Sequence, residues 1–383
     1  MRPSRRPDGK GPRGGSKGGP LMGLAGRWEP MSSERMRKIF SMVAPGTPLR
    51  EGLDNILRAR TGGLVVVGDV PEVLAIASGG FKLNADFSPA ALYELAKMDG
   101  AIILSSTADR IVWANATLSP DPDIPSRETG LRHSTAERVA KMTGQLVIAI
   151  SQRRSVITVY MGHTRYVLRD IGVVLAKANQ ALQTMANYKE VFSRALTNLS
   201  ALEFIEEVTV ADVVRVIQRY ELMRRAWEEV TDYIAELGSE GRLIKVQSDE
   251  IIGGTWEDAL FVMMDYLPSG GQEEAEKLLR SIGEWPVDEV LDASTLGRAV
   301  TQSAIVSLES SMMPRGYRAL SKISRLPLSV IHNVVSGFGS LKAIRGATTE
   351  ELDEIEGIGE VRARAVREGL SRLRDQVVRS LAL

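Results

Sequence analysis

A long amphipathic helix is the strongest constraint that this sequence places on its fold. Between Val213 and Leu237, apolar side chains recur every seven residues in two series offset by three. The first series is Val213, Tyr220, Trp227 and Ile234, and the second is Val216, Met223, Val230 and Leu237. This heptad register predicts a helix that packs along a neighbouring helix, and Gly238 is a natural residue to end it. The neighbour can belong to the same chain or to another protomer, and we favour a partner within the chain.

The sequence before this helix has a different pattern. From about Glu34 to Asp170, short β-branched runs alternate with helical stretches, which predicts a mixed α/β domain. The apolar runs are 64–67, 101–104, 146–150, 156–160 and 166–168, and the helical stretches include 89–97 and 135–142. The last two runs flank Gly162-His163 as the strands of a hairpin would. Strand patterns disappear from Ile171 to about Pro314, so the predicted fold class is multidomain, α/β followed by an elongated all-α region.

The last 65 or so residues contain an internal repeat. Four apolar positions recur 32 residues later, which predicts that one helix–turn–helix unit is used twice. These positions are Leu320, Ile323, Leu326 and Val334, which recur as Leu352, Ile355, Ile358 and Val366. In the second copy, Thr348 and Glu351 fit a capping box that starts the first helix. The second helix is predicted to begin near Glu360.

The turn of the second copy is a candidate phosphate-binding site. Gly357 and Gly359 permit a sharp turn, Ile358 would anchor it in the core, and free N–H groups at the helix start can hold a phosphate. The turn resembles the helix-hairpin-helix motif, which binds the DNA backbone without reading its sequence. Arginines follow it at 362, 364, 367, 372, 374 and 379, and we assign DNA contact to the turn together with Arg362 and Arg364. The alternative is a helical interaction domain whose arginines are merely solvated.

The first copy of the repeat departs from this pattern. Arg325 and Pro327 stand where the glycines would be. Because proline lacks an N–H group, we expect the first hairpin to contribute less to phosphate binding.

The net charge of zero, from 48 basic and 48 acidic side chains, argues against a nucleic-acid partner only if the charge is evenly spread. It is not, because both ends of the chain are basic.

The Gly/Pro-rich segment 1–33 is predicted to be a disordered basic tail, followed by domains at 34–170, 171–315 and 316–383. The absence of cysteine excludes disulfides and thiol nucleophiles, and no apolar run approaches the ~20 residues of a membrane span. We therefore expect a cytoplasmic protein without a membrane partner.

Three polar segments border the predicted strands of the α/β domain. Asp99 stands beside Gly100, and a carboxylate next to glycine suits a divalent metal. The segment 130–135 contains Arg132, His133, Ser134 and Thr135 and precedes a predicted helix. Ser134 and Glu137 fit a capping box at the start of that helix. The N–H groups, hydroxyls and cation of the segment suit a polyphosphate. Segment 151–154 ends with two arginines that can add positive charge. Taken alone, each segment is more often structural than functional.

Their combination resembles the DisA family of diadenylate cyclases. The resemblance rests on the segments 97–101, 120–125 and 130–138 and covers about residues 35–383, as cyclase domain, helical spine and helix-hairpin-helix domain. The family's Asp-Gly-Ala motif is intact at 99–101. Its second motif usually reads Gly-Thr-Arg-His-Arg, and here Leu131 and Ser134 replace the threonine and the second arginine.

This resemblance implies that two ATP molecules condense into cyclic di-AMP with release of two pyrophosphates. It assigns Asp99, Arg132 and His133 to catalysis, with Asp99 and His133 at a Mg²⁺ or Mn²⁺ ion. The implied ATP contacts are Gly100, Ala101, Leu118, Leu131, Arg132, His133, Ser134, Thr135, Ser151, Arg153 and Arg154. The family also implies a homo-octamer in which the cyclase domains face each other. Branched DNA, such as a recombination intermediate, is implied to bind at the far end of the molecule and to suppress synthesis in a DNA-damage response.

The two departures from the motif predict weakened phosphate binding with activity retained. Losing the arginine at 134 removes a charged hydrogen bond worth roughly 1.5–3 kcal/mol, so we expect a raised KM for ATP. A degenerate cyclase that only senses nucleotide while scanning DNA is the first alternative, and the intact Asp99 counts against it. A structure-specific nuclease is the second, and the lack of a clustered acidic motif counts against that.

Overall fold

The computed structural model describes residues 34–324 and 326–381. The predicted disordered tail at 1–33 and the substitution at Arg325 lie outside the described residues, as does the side chain of Arg379.

An eight-stranded sheet forms the centre of the α/β domain. Its strands are β1 Gly63–Val67, β2 Ala77–Ser78, β3 Phe81–Asp86, β4 Ala101–Leu104, β5 Arg110–Leu118, β6 Leu146–Ser151, β7 Val156–Met161 and β8 Thr164–Val167. The order is β2-β5-β4-β1-β6-β7-β8, and β3 also pairs with β5. Only the β1–β4 pair is parallel among these described strands. Four of the five predicted runs lie wholly in strands, and the fifth, 166–168, extends one residue beyond the end of β8. Met161 pairs with Thr164 across the predicted Gly162-His163 hairpin turn.

Helices cover both faces of this sheet. They are α1 Glu34–Val43, α2 Pro48–Arg58, α3 Pro71–Ala75, α4 Pro89–Leu95 and α5 Leu131–Thr143. Val65 and Val67 of β1 pack with α1, α2 and α4, whereas Leu64 and Val66 pack with α3 and α5. A central strand buried on both faces is continuously apolar, which is why β1 reads as an unbroken hydrophobic run.

One expectation about α5 is wrong. The helix begins at Leu131, after Gly130 in an extended conformation, so Ser134 lies inside the helix and cannot be its N-cap. The Ser134 hydroxyl donates to the carbonyl of Leu131 instead. Glu137, the other half of the expected capping box, accepts hydrogen bonds from a preceding loop. Since glycine can also serve as an N-cap, the sequence offered two possible starts and the earlier one is used.

Two long helices follow the α/β domain, α6 Ile171–Ile205 and α7 Val210–Leu237. The heptad prediction is confirmed, because α7 ends before Gly238 and packs along α6 of the same chain. The end of α6 packs with the start of α7, and the start of α6 with the end of α7, so the pair is antiparallel.

The remaining elements of the described chain are helices, joined by loops that include the segment 302–316. The further helices are α8 Arg242–Ile252, α9 Thr255–Tyr266, α10 Gln272–Glu284, α11 Val287–Leu291, α12 Ala293–Thr301, α13 Tyr317–Ser321, α14 Leu328–Phe338, α15 Leu341–Gly346, α16 Thr349–Asp353 and α17 Glu360–Leu381. After β8, the described residues contain a single β-bridge, between Thr209 and Ser311. Among the helices of the described residues, none has the length and hydropathy that crossing a bilayer requires.

The predicted repeat is confirmed by its helices. The short helix α13 and the following α14 recur as α16 and α17, with both starts displaced by 32 residues. All eight repeated apolar positions are buried in, or packed against, one hydrophobic core. Thr348 and Glu351 form the expected capping box at α16. One apolar pattern therefore specifies the same helix–turn–helix unit twice.

Candidate functional site

The turn that enters β4 presents Asp99 to solvent. Its side chain is fully exposed, at 105% of the reference value. The next residue, Gly100, has a φ of +105°, and a Cβ there would lie 2.8 Å from the carbonyl carbon and Oδ1 of Asn115. Any side chain at this position would be strained and would clash with β5. Glycine is therefore required to hold Asp99 at the edge of the sheet.

Arg132 lies beside this carboxylate. Its Nη2 is 3.9 Å from Oδ1 of Asp99, which brings together residues from the start of β4 and the first turn of α5. Gly62, just before β1, makes the approach possible, because a Cβ on it would lie 2.2 Å from Nη1 of Arg132. A long, exposed ion pair of this kind contributes little stability. Both groups are therefore free to exchange this contact for a ligand.

A cleft of about 510 Å³ lies at the same end of α5. It is lined by Glu128, Thr129, Gly130, His133, Ser151, Arg153 and Arg154. Ser151 ends β6, and its hydroxyl accepts a hydrogen bond from the backbone N–H of Arg154, 3.2 Å away. This bond closes the turn that carries Arg153 and Arg154, both of them exposed. The cleft thus combines a half-buried imidazole with two solvent-facing guanidinium groups.

The imidazole of His133 favours its neutral form. Burial lowers the pKa of His133, and the positive charges of Arg132, Arg154 and Arg165 lower it further, against the opposing effect of Glu128. Near neutral pH the ring therefore keeps a free nitrogen lone pair, which is the form that can accept a hydrogen bond or ligate a metal.

Glu128 is a functional candidate that the sequence reasoning missed. Its Oε1 accepts hydrogen bonds from the Tyr160 hydroxyl at 2.9 Å and from Nε of Arg165 at 2.6 Å. Burial disfavours its charge, but the bonds from Arg165 and Tyr160 outweigh that effect and lower the pKa of Glu128. The carboxylate thus stays ionised beside His133. The sequence signal that could have identified Glu128 is its position, two residues before the Gly130 segment.

The loop that leads into the cleft is fixed to α5 by Glu137. Oε2 of Glu137 accepts from the Ser126 hydroxyl at 2.6 Å and from the Arg127 N–H at 2.9 Å. Lys141 lies 2.7 Å from Oε1 and also donates to the carbonyl of Pro125. Burial opposes the charge of Glu137, yet these partners lower its pKa to about 2. The loop and the helix therefore form one unit beneath the cleft.

The remaining predicted ATP contacts occupy varied environments. Leu131 is 89% exposed at the start of α5, whereas Ala101 is 1% exposed and packs in the sheet core. Almost none of the surface of Ala101 is therefore available to a ligand. Leu118 is half-buried at the end of β5, and Thr135 is half-buried in α5.

The donor set around Asp99 fits a metal ion that takes most of its ligands from outside the protein. Within the described ranges, no group of three or more His, Cys, Asp or Glu side chains is arranged to hold a metal. A single exposed carboxylate fits a hard cation that takes its other oxygen ligands from substrate phosphates and water, as Mg²⁺ usually does.

The second candidate site is the turn between α16 and α17. Gly357 has a φ of +87°, but Gly359 does not, and a Cβ on Gly359 would meet open space. Only the first glycine is thus required by the fold, and the second leaves room for a ligand to approach the backbone. Ile358 is 7% exposed and anchors the turn, as expected. Nη1 of Arg362 donates to the carbonyl of Gly357 at 2.6 Å, so this arginine also closes the turn.

Arg364 lies on the exposed surface of α17, where it pairs with Glu360 at 2.8 Å. Because this is an exposed pair four residues apart, it contributes little and can open. Asn333 of α14 donates to the carbonyl of Glu356, which fixes the first copy of the repeat against the turn of the second.

Comparisons with known proteins match most of the chain. The family model described as "DisA bacterial checkpoint controller nucleotide-binding" matches residues 50–165, and "DisA bacterial checkpoint controller linker region" matches residues 168–308. The DNA integrity scanning protein DisA of Carboxydothermus hydrogenoformans is 52% identical over 347 residues, covering 90% of this chain and 99% of that protein. Proteins of the same name from Symbiobacterium thermophilum and Bacillus mycoides are 52% and 50% identical, covering 88% and 90% of this chain and 96% of each relative.

Proposed function

The chain belongs to the DisA family, whose nucleotide-binding domain is that of a diadenylate cyclase, and we propose that it condenses two ATP molecules into cyclic di-AMP. In each half of the reaction, the ribose 3′-oxygen of one ATP attacks the α-phosphorus of the other. The bond between that phosphorus and the β-phosphate oxygen breaks, and pyrophosphate leaves. The observation that carries the proposal is the convergence of Asp99 and Arg132 at 3.9 Å on an exposed edge of the sheet.

Asp99 is the residue proposed to hold a Mg²⁺ or Mn²⁺ ion, and His133 is the proposed second metal ligand. Such an ion would lower the pKa of the attacking hydroxyl and screen the charge on the phosphoryl group. Full exposure of the Asp99 side chain supports this role, because a substrate-borne ion can reach it without rearrangement of the protein. Gly100, Ala101 and Leu118 are proposed to contact the nucleoside.

The phosphates are proposed to lie at the start of α5. The first N–H groups of a helix have no partner within it, and they attract anions. Leu131, Arg132, His133, Ser134 and Thr135 belong to these first turns, and Ser151, Arg153 and Arg154 would reach the phosphates from the β6–β7 turn. Both groups border one end of α5, so a triphosphate would be held from two sides.

The same geometry indicates a weakened site. The Ser134 hydroxyl donates to the Leu131 carbonyl, and it carries no charge to replace the family's arginine. The turn arginines, Arg153 and Arg154, are exposed and available to compensate. The missing positive charge at Ser134 is the observation that favours the second candidate function, a nucleotide sensor with weak or no turnover.

Incubation of the purified full chain with ATP and Mg²⁺ or Mn²⁺ tests the cyclase proposal. We expect cyclic di-AMP and pyrophosphate by chromatography and mass spectrometry. Asp99→Asn should abolish synthesis while ATP still binds, and Asp86→Asn, at an exposed carboxylate of β3, is the matched control. ATP binding without product in the folded wild type would reject the cyclase in favour of the sensor.

The organisation of the whole molecule is also proposed. Residues 34–170 would form the cyclase domain, 171–315 a spine and 316–383 a helix-hairpin-helix domain, in a cytoplasmic protein. Two cyclase domains must face each other for the reaction, and the proposed assembly is an octamer. A strictly monomeric mass in solution, under conditions in which cyclic di-AMP forms, would contradict this arrangement.

DNA binding is proposed for the Gly357–Gly359 turn with Arg362 and Arg364, and branched DNA is proposed to regulate synthesis. The open space at Gly359 and the exposed Arg364 support contact with phosphates. We expect binding of a four-way junction, measured by fluorescence anisotropy, to weaken steeply with salt. Arg364→Ala should weaken it, whereas Arg280→Ala, which breaks a similar exposed pair with Glu276 on α10, should not. Equal effects of both variants would exclude the turn as the contact.

A further inference from the structure

The cleft proposed for the ATP phosphates contains one acidic side chain. Among the described residues that line it, Glu128 is the only carboxylate, and it lies with His133, Arg153 and Arg154. An ionised carboxylate repels a phosphate, and the repulsion is strongest where water is partly excluded. The charge of Glu128 must therefore be offset if the cleft is to hold a triphosphate.

Arg165 of β8 supplies the opposite charge. Its Nε donates to Oε1 of Glu128 at 2.6 Å, and the Tyr160 hydroxyl donates to the same oxygen at 2.9 Å. The Glu128 side chain is 12% exposed, so its paired carboxylate mainly faces protein. Within the described part of the chain, Arg165 does not itself line the cleft. It therefore acts on the cleft through Glu128.

The position of Arg165 is fixed by the strand that carries it. In the β7–β8 ladder, Arg165 lies directly opposite Tyr160, so the two donors to Glu128 leave the sheet on the same face. The next residue, Tyr166, points to the opposite face, where its hydroxyl donates to Glu236 of α7 at 2.8 Å. The strand is thus held from both faces, by the cleft on one side and by the spine on the other.

Glu128 also lies on the segment that leads into the proposed phosphate site. The preceding residues Ser126 and Arg127 are bonded to Glu137. Gly130, two residues after Glu128, provides no side-chain hydrogen bond to cap α5. The bonds to Glu128 therefore fix the chain immediately before the helix whose first N–H groups would hold the phosphates.

We propose that Arg165 is a positioning residue for the ATP phosphates. It holds Glu128 against Tyr160 and neutralises the carboxylate. The cleft then keeps the positive charge of Arg153 and Arg154 for the ligand. This inference rests on the proposed placement of ATP in the cleft, but not on turnover.

Calorimetric titration of the full chain with α,β-methylene-ATP and Mg²⁺ tests this role. The methylene group replaces the oxygen that leaves with pyrophosphate, so binding is measured without reaction. Arg165→Met should raise the dissociation constant at least about tenfold, because it leaves the Glu128 carboxylate unpaired in an anion site. Arg58→Met, at an exposed arginine of α2 outside the cleft, should leave the constant unchanged.

The double variant that combines Arg165→Met with Glu128→Gln separates this role from a direct contact. Removing the unpaired carboxylate should return the dissociation constant to within about threefold of wild type. Neither a folding defect nor the loss of a direct phosphate contact would be rescued in this way. Rescue in a protein that makes no cyclic di-AMP would support the role of Arg165 and favour the nucleotide sensor.

Two results would overturn the role of Arg165 and leave the cyclase proposal untouched. One is unchanged binding in Arg165→Met, and the other is weakened binding that Glu128→Gln does not restore. A wild-type protein that does not bind the analogue would overturn the placement of ATP in the cleft, and the role of Arg165 with it.

Discussion

Replacing Glu137 with glutamine is expected to destabilise the α/β domain in a manner that depends on pH. The carboxylate is 11% exposed and accepts from Ser126, Arg127 and Lys141 at 2.6 to 2.9 Å. Glutamine has nearly the same shape but no charge, and one of its two oxygen acceptors becomes a donor. Glu137→Gln therefore removes the charge that these donors stabilise without opening a cavity.

The pKa of Glu137 gives the size of this effect. A fall from the usual value near 4.5 to about 2 corresponds to about 3 kcal/mol of stabilisation at neutral pH. Because the folded pKa is the lower one, the stabilisation is complete above pH 4.5 and is lost as the pH falls toward 2. Glutamine retains one acceptor, so we expect Glu137→Gln to cost about 2–3 kcal/mol at pH 7 and about half as much at pH 3.

Hydrogen–deuterium exchange in urea measures this free energy, since peptides from β1 and β6 report unfolding of the α/β domain separately from the helices. The control is Glu94→Gln, which breaks an exposed pair with Lys97 and should have a much smaller effect on stability. A cost for Glu137→Gln below that of the control, or one that is equal at pH 7 and pH 3, would refute the reasoning.

Three further changes have definite expected outcomes. Ser134→Arg restores the charge of the family motif and should lower the KM for ATP about tenfold, measured in steady-state synthesis of cyclic di-AMP. An unchanged KM would contradict the assignment of the phosphates to the start of α5. Glu128→Gln removes the charge that raises the pKa of His133, so a nuclear magnetic resonance titration should find that pKa lowered further. An unchanged pKa would show that the two groups do not interact. Gly357→Ala places a Cβ at a φ of +87° and should lower the free energy of unfolding, measured by thermal unfolding, by at least about 1–2 kcal/mol. Gly359→Ser adds an N-cap side chain and should not lower it.

The elements that could be predicted from the sequence are those whose side chains repeat with a fixed period. The heptads of α7 specify both the helix and its need for a partner, and the period of 32 residues marks where both repeat copies begin. The continuous apolar runs identify β1, β4 and β6 because these strands are buried on both faces. In each case, the pattern records burial directly.

The elements that were missed lack such a pattern. Every residue of β3 is exposed, and Asn84 within it has a positive φ, so neither periodicity nor propensity marks it as a strand. The neighbouring β5 is interrupted by Asn115, also at a positive φ, beside the shifts in its pairing with β4. Asn115 packs so closely against Gly100 that no side chain fits there, so the least predictable strand geometry lies next to the candidate active site.

The packing of the two ends of the spine differs, and this difference determines where the molecule can flex. One hydrophobic core runs from the end of α6 through α9 and α10 to both repeat copies, with Arg318 and Glu203 buried at the junction. The α/β domain has its own cores, to which α7 contributes only the partly buried Ala235 among the described apolar residues. Its main polar link to the spine is the pair between Arg169 and Glu236, with Nη2 and Oε2 2.6 Å apart. Sliding within a continuous apolar core exposes more surface than bending at a polar link. A force applied at the Gly357–Gly359 turn would therefore move the spine and the repeat as one body. Any change in the position of the α/β domain relative to the spine would then arise at the joint between Arg169 and Glu236.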